Sequence, residues 1–287
     1  MQSKIREPFF NLPARQTKIW ESDSKLLIAN RENLIKVLLA KHPIGLPQMD
    51  IAKEVHIVRN LLDEIKFTPY GGTNGMVQFS GVPFVEYETV EEYLNGTADP
   101  VFEYCRNLMM SKIIAWLTSM NFEVEILPDD SDKNYHAGIL RKIQVGAQCN
   151  EHLEGDGCTP LHVDILNRDG TNFKKGFKLP SVIAGHECHQ SSLNILMENG
   201  GFTPDSLVTY ELLYTKEQED YFKGWKSEPA LVKGKRFVKH CPVIGQPYLF
   251  STQQHHDVRD GHRDSNRITF GVFLIYVPAL NKIFLYS

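Results

Sequence analysis

"PYLFSTQQHHDVRDGHRDSNRITFGVFLIYV", residues 247–277, decides how the second half of the chain is read. A hydrophobic strand, Tyr248 to Phe250, runs into a polar loop carrying His255, His256 and His262. An apolar strand opening on Arg267-Ile268-Thr269 follows. Two apolar runs of strand length around a polar connection are a hairpin pattern, not a helical one. The same character holds back to about residue 123, in "FEVEILP", "GILRKIQVGAQCN", "LHVDIL", "SVIAGHEC", "SLNILMEN", "LVTYELLYT" and "PALVKGKRFVKHC". Gly, Asp, Asn and Pro turns separate these segments, and so many short strands imply a sandwich or barrel. "TKEQEDYFKGW" (215–225) reads as a helical or turn insertion among them.

Residues before about 125 read as helix-rich. "SDSKLLIANRENLIKVLLAKHP" (22–43) has a Ser/Asp start, apolar positions near helical spacing and a proline after its Lys/His end. "PVFEYCRNLMMSKIIAWLTSMNF" (100–122) reads as a longer amphipathic helix with proline in its first turn, and Met109, Met110 and Trp116 as its core packing. The expected class is therefore α+β. A helix-rich region, 1–125, packs on a β-barrel or jelly-roll core, 126–287, as one integrated domain.

Composition bounds the function. The chain of 287 residues is 42% hydrophobic and 23% charged, with a net charge of −4, so it has no basic footprint for nucleic acid. The N-terminus has no continuous apolar segment of a secretory signal. The longest apolar run, "FGVFLIYV" (270–277), is far short of the roughly 20 residues of a membrane helix. The 5 cysteines show no CxxC pairing and read as reduced thiols. A soluble cytoplasmic enzyme with a small-molecule substrate, no nucleic-acid partner and no membrane is the expectation.

Of the 11 histidines, eight lie between 152 and 262. In "TPLHVDILNRDG" (159–170), His162 and Asp164 are two apart. On an extended strand such residues share a face, so an imidazole and a carboxylate converge. Arg267 and Thr269 repeat the spacing with a guanidinium and a hydroxyl, which suits a carboxylate ligand. An inward arginine on so apolar a segment needs an anionic partner. Two histidines and one carboxylate on one face of a metal leave three positions open, the arrangement of non-haem Fe(II) centres that activate O₂. His152-x-Glu154 is a rival pair, set in a glycine-containing loop. His186 and His189 do not share a strand face and read as structural or pocket-wall residues. Cys188 has no base at useful spacing, which sets nucleophilic catalysis aside.

At this point the chain resembles the Fe(II)/2-oxoglutarate-dependent oxygenase superfamily, through "HVD" at 162–164, "HHDV" at 255–258 and "RIT" at 267–269. The resemblance spans about residues 140–277. It implies a double-stranded β-helix (jelly-roll) core and an enzyme using Fe(II), 2-oxoglutarate and O₂. It implies His162, Asp164 and a downstream histidine as iron ligands, with Arg267 and Thr269 binding the distal carboxylate of 2-oxoglutarate. His256 is the first choice for the third ligand, in its H-x-V setting 11 residues before Arg267, and His255 the second. His262, 5 before, is too close for the hairpin to return. Gln148, Asn150 and His152 are candidate contacts to substrate or oxo-acid. Asp164 itself argues against the halogenating branch, where a small residue replaces the carboxylate. The implied reaction is hydroxylation of a small metabolite, such as a free amino acid or natural-product precursor, with release of succinate and CO₂. The alternatives are a cupin-type metalloenzyme without an oxo-acid, a non-catalytic jelly-roll binding module, and a hydroxylase of protein residues.

Overall fold

The structure is a computed structural model, and it describes residues 19–70, 77–131, 133–144, 159–164, 180–200, 207–223, 226–258 and 266–287. The first part of the chain alternates strands and helices. In order come β1 (Lys25–Ile28), α1 (Arg31–Leu38), β2 (Ile44–Pro47), α2 (Ala52–Asn60), β3 (Thr68–Pro69) and β4 (Val77–Ser80). Then follow α3 (Val90–Leu94), α4 (Pro100–Ser119) and β5 (Glu123–Ile126). The rest is β6 (Ile139–Gln144), β7 (Thr159–His162), β8 (His189–Asn199), β9 (Leu207–Leu213), β10 (Phe222–Lys223) and β11 (Lys226–Ser227). It ends with β12 (Phe237–His240), β13 (Pro247–Ser251), β14 (Gln254–Val258), β15 (Asn266–Val277) and β16 (Lys282–Tyr286).

The larger sheet runs β1-β2-β13-β8-β15-β6-β4-β3, with β16 added to β15 and β5 to β16. The smaller runs β10-β11-β7-β14-β9-β12. Along the chain β6, β8, β13 and β15 lie in the larger sheet and β7, β9, β12 and β14 in the smaller. Eight strands wound in this way between two facing sheets are a jelly roll.

Three sequence expectations change. The helix-rich N-terminal region is not one: among its described residues, β1 to β5 all join the larger sheet. Runs such as "KLLI" and "IGLP" are too short to show a period, so helix and strand cannot be told apart in them. The helix expected over 22–43 is only α1, because Asn30 caps it, its side chain accepting from the Asn33 amide at 2.9 Å, and "KLLI" pairs in parallel with β2. "SVIAGHEC" is a run of turns from Pro180, with the Ile183 and Ala184 amides donating to its carbonyl. By contrast α4 follows its sequence closely. Asp99 caps it, accepting from the Val101 and Phe102 amides, with Pro100 at the first turn.

The main core lies between the helices and the outer face of the larger sheet. Leu34, Val37, Val58, Met109 and Ile113 pack there against Leu193, Ile195, Phe270, Val272 and Leu274. Residues of β15 in the other phase, Arg267, Thr269, Gly271 and Phe273, therefore face the interior between the sheets. Among the described residues no helix is long and apolar enough to cross a membrane.

Candidate metal centre

Strand register builds the site. Antiparallel pairing of β14 with β7 sets His256 directly opposite His162, and the two rings lie 4.2 Å apart between centroids. Both are buried. Asp164 lies two residues beyond His162, its amide donating to the Thr252 carbonyl at 3.1 Å and its carbonyl accepting from Gln190 Nε2 at 2.7 Å. Those bonds aim the half-buried carboxylate between the rings. Oδ1 is 3.6 Å from His162 Nε2 and Oδ2 is 3.4 Å from His256 Nε2. Ligand atoms at about 2.1 Å from one metal in adjacent positions stand about 3 Å apart, so the three need only small movements to meet an ion.

The electrostatics prepare the same geometry. His256 Nδ1 lies 2.9 Å from the Gln254 carbonyl, which can only accept from it, so Nε2, the nitrogen facing Asp164, is the one that would ligate a metal. The Phe250 ring meets the imidazole edge-on at 4.9 Å and holds its tilt. Burial works against ionising Asp164, yet His162 and His256, with Arg141 adding to them, hold the carboxyl well below the usual carboxylate range.

The expected loop carrying His255 and His256 is strand β14, so the two rings leave opposite faces. His255 Nδ1 lies 3.2 Å from the Leu212 carbonyl and its ring packs near Phe222 at 5.9 Å, away from Asp164. His256 is the imidazole in the cluster. His262, Gln148, Asn150, His152 and Glu154 lie outside the described residues. His189 pairs with Glu187 at 2.9 Å, and His186 sits in the turns before it. Burial pushes the Cys188 thiol up to about 12, which leaves it protonated.

Arg267 is 3% exposed, and its Nη2 donates to Tyr248 Oη at 3.1 Å. Thr269 is the next inward position on β15. Close by is a residue the sequence did not single out, His240 at the end of β12. Along "FVKH" the exposure alternates, so Val238 and His240 face inward while Phe237 and Lys239 face out. His240 is 2% exposed, and among the described residues neither ring nitrogen has a hydrogen-bond partner. Its ring lies 4.9 Å from that of Tyr248, and burial, with Lys25 and Arg267 adding to it, pushes its pKa down to about 3. The Thr209 hydroxyl, opposite His256, is likewise buried and has no partner among the described residues. A histidine at the buried phase of an amphipathic strand was the available signal for His240.

No protein-family model matches the chain, and no curated protein matches it. Among solved structures it is similar to several enzymes that depend on 2-oxoglutarate or belong to the 2OG-Fe(II) oxygenase family. An N-substituted L-amino acid dioxygenase from Burkholderia ambifaria AMMD is 16% identical, with 85% of this chain and 98% of that one covered, at a TM-score of 0.44. An oxidoreductase of the 2OG-Fe(II) oxygenase family from Burkholderia pseudomallei is 11% identical over 87% of this chain and 94% of that one, TM-score 0.46. The non-heme alpha ketoglutarate dependent carbocyclase SnoK from nogalamycin biosynthesis is 11% identical over 87% and 88%, TM-score 0.46. Likenesses this distant assign nothing to individual residues, and what the chain does is read from its own side chains.

Proposed function

We propose that the chain is an Fe(II)- and 2-oxoglutarate-dependent dioxygenase that hydroxylates an unactivated C–H bond of a small metabolite. A free amino acid or natural-product precursor is the inferred substrate class. The observation that carries the proposal is the facing pair His162 and His256 with the Asp164 carboxylate between their Nε2 atoms. These three would hold the metal and leave room on it for cosubstrates. When bound, Fe(II) and 2-oxoglutarate together supply O₂ activation, with one oxygen atom passing into succinate and the other into the product as CO₂ leaves.

The chain's own residues fit the oxo-acid. Arg267 is a buried guanidinium whose fork matches a carboxylate. Tyr248 accepts a bond from it and keeps its own proton to donate. The buried ring nitrogens of His240, which have no partner among the described residues, are the sharper sign. An unmet donor in such a place costs roughly 1–3 kcal/mol, and a carboxylate arriving beside Arg267 would relieve it. Thr269 adds a hydroxyl from the next inner position. The interior between the sheets keeps bulk water from the reacting centre. Gln148, Asn150 and His152 stay as proposed contacts to substrate or oxo-acid.

The test is anaerobic titration with Fe(II), then with 2-oxoglutarate, watching for the weak visible metal-to-ligand charge-transfer band. A metabolite screen for succinate release follows. The proposal expects both the band and 2-oxoglutarate-dependent succinate. Iron binding without the band would make the protein a cupin-type metalloenzyme, and no iron binding a non-catalytic jelly-roll module.

A further inference from the structure

Arg141 sits in the middle of β6, and its strand phase turns it into the interior. Its neighbours Leu140 and Lys142 face the other way, Leu140 into the core beneath the helices and Lys142 over the Phe67 ring. Arg141 is opposite Thr269 on one side and Phe79 on the other, while Ile143, the next inner position, is opposite Arg267. Tyr70 closes on Phe79 edge-to-face at 5.7 Å. The inner wall thus carries two guanidinium groups in diagonal positions on adjacent strands. Arg267 is deep and tied to Tyr248. Arg141 is half-buried and, among the described residues, enters no hydrogen bond or ion pair. It is near enough to Asp164 and to the Tyr70 phenol to act on both electrostatically.

Charge balance gives this arrangement a meaning, granted the oxygenase reading above, on which the inference rests. The two charges of Fe(II) and the one of Arg267 are matched by Asp164 and the 2-oxoglutarate dianion, with the histidines neutral. Among the described residues Arg141 is left as one surplus positive charge on a partly desolvated wall, where an uncompensated ion is costly. A monoanionic group on the third participant, the substrate, restores neutrality. A planar guanidinium by itself presents two parallel N–H donors at the spacing of a carboxylate.

We propose that Arg141 binds a carboxylate of the substrate, so that the enzyme acts on small carboxylic acids and holds them by that group next to the metal. Phe79 and Tyr70 would receive apolar parts of the same molecule. The acid is the grip, and the oxidised carbon lies elsewhere on the skeleton.

The experiment uses the full chain loaded anaerobically with Fe(II) and 2-oxoglutarate, and two matched pairs of probes: phenylacetate with phenylacetamide, and L-leucine with L-leucinamide. Binding is read by calorimetry and by displacement of the charge-transfer band, without turnover. The acid of at least one pair should bind about tenfold or more tighter than its amide, as a charge-assisted bond predicts. Arg141→Met should abolish that preference and leave 2-oxoglutarate affinity near wild type. Arg267→Met should weaken 2-oxoglutarate instead. Arg141→Lys, which keeps the charge without the fork, should retain an intermediate preference, and it carries the test if the methionine variant does not fold. The proposal is overturned if acids and amides bind wild type alike, or if the preference survives Arg141→Met. It is equally overturned if Arg141→Met weakens 2-oxoglutarate as much as Arg267→Met, which would place Arg141 on the oxo-acid. Absence of the band in wild-type protein is a different failure: it removes the oxygenase function, and the carboxylate site with it.

Discussion

Alternation along β14 puts His256 against Asp164 and turns His255 toward Leu212 and Phe222. Truncating each therefore separates metal binding from packing. His256→Ala should weaken Fe(II) by more than the roughly 10–100-fold typical of a lost outer partner. His255→Ala should leave the iron titration close to wild type and lower stability by roughly 1–3 kcal/mol, through lost packing and an unmet Leu212 carbonyl. Anaerobic calorimetry beside denaturant melts checks both, and equal iron loss in the two would contradict the assignment. A second outcome at this scale concerns His240, held neutral by burial with a pKa near 3 against an ordinary 6.5. Below about pH 6.5 the unfolded chain takes up a proton that the folded chain refuses, so stability falls as pH drops from there toward about 3. The slope from this one group approaches about 1.4 kcal/mol per pH unit. His240→Gln should flatten it in ligand-free protein, measured as the midpoint of urea unfolding against pH; an unchanged slope would mean that His240 titrates normally. Residue type and i, i+2 spacing single out His162, Asp164 and Arg267 in the sequence, although Asp164 lies just past the end of β7 and is aimed by its backbone bonds to Thr252 and Gln190. His240 and Arg141 were not legible there, because their meaning comes from strands paired across the interior.

Helix α4 was readable from its ends as well as its apolar positions. Aspartate followed by proline marks the start, and Asn121, at φ 60, takes the left-handed turn that ends it. Asp99→Ala removes an acceptor for two amides, Val101 and Phe102, and should cost about 1 kcal/mol. Since α4 packs on the outer face of the larger sheet, 2-oxoglutarate affinity should not change. Thermal unfolding and the charge-transfer titration give the two readouts, and a loss of oxo-acid binding would mean that the outer packing reaches the site. The stretch 22–43 shows where local signals fail. Its apolar residues satisfy a helical period, yet Asn30 starts a new helix and the residues before it are worth more as a strand beside β2. The pairing partner that decides this case begins at Ile44, beyond the end of the stretch, so the stretch alone does not contain it. The same holds for the β14 histidines. A strand of polar residues looks like a loop until the burial that β7 and β9 impose on it is known.

The whole molecule depends on what the first part of the chain contributes. On one side of the larger sheet β2 pairs with β13, and on the other β4 pairs with β6. The same segment supplies the helices that cover Leu193, Ile195, Phe270, Val272 and Leu274. A fragment spanning 126–287 keeps every proposed metal ligand but uncovers that face and opens two sheet edges. α4 alone buries Phe102, Cys105, Met109, Met110, Ile113, Trp116 and Leu117. At roughly 1.5–3 kcal/mol for each large apolar side chain, that is on the order of 10–20 kcal/mol of gross burial, comparable to or above the net stability of a domain. The fragment should therefore aggregate or remain without fixed tertiary packing, as exposed apolar faces and open edges do. Size-exclusion chromatography and near-ultraviolet circular dichroism of the fragment beside the full chain decide it. A monomeric fragment that unfolds cooperatively and still binds Fe(II) would show two separable units, with the jelly roll self-sufficient. Failure to fold would mean that the metal ligands, although all carried by the later part of the chain, are held in place only because the earlier residues complete the sheet.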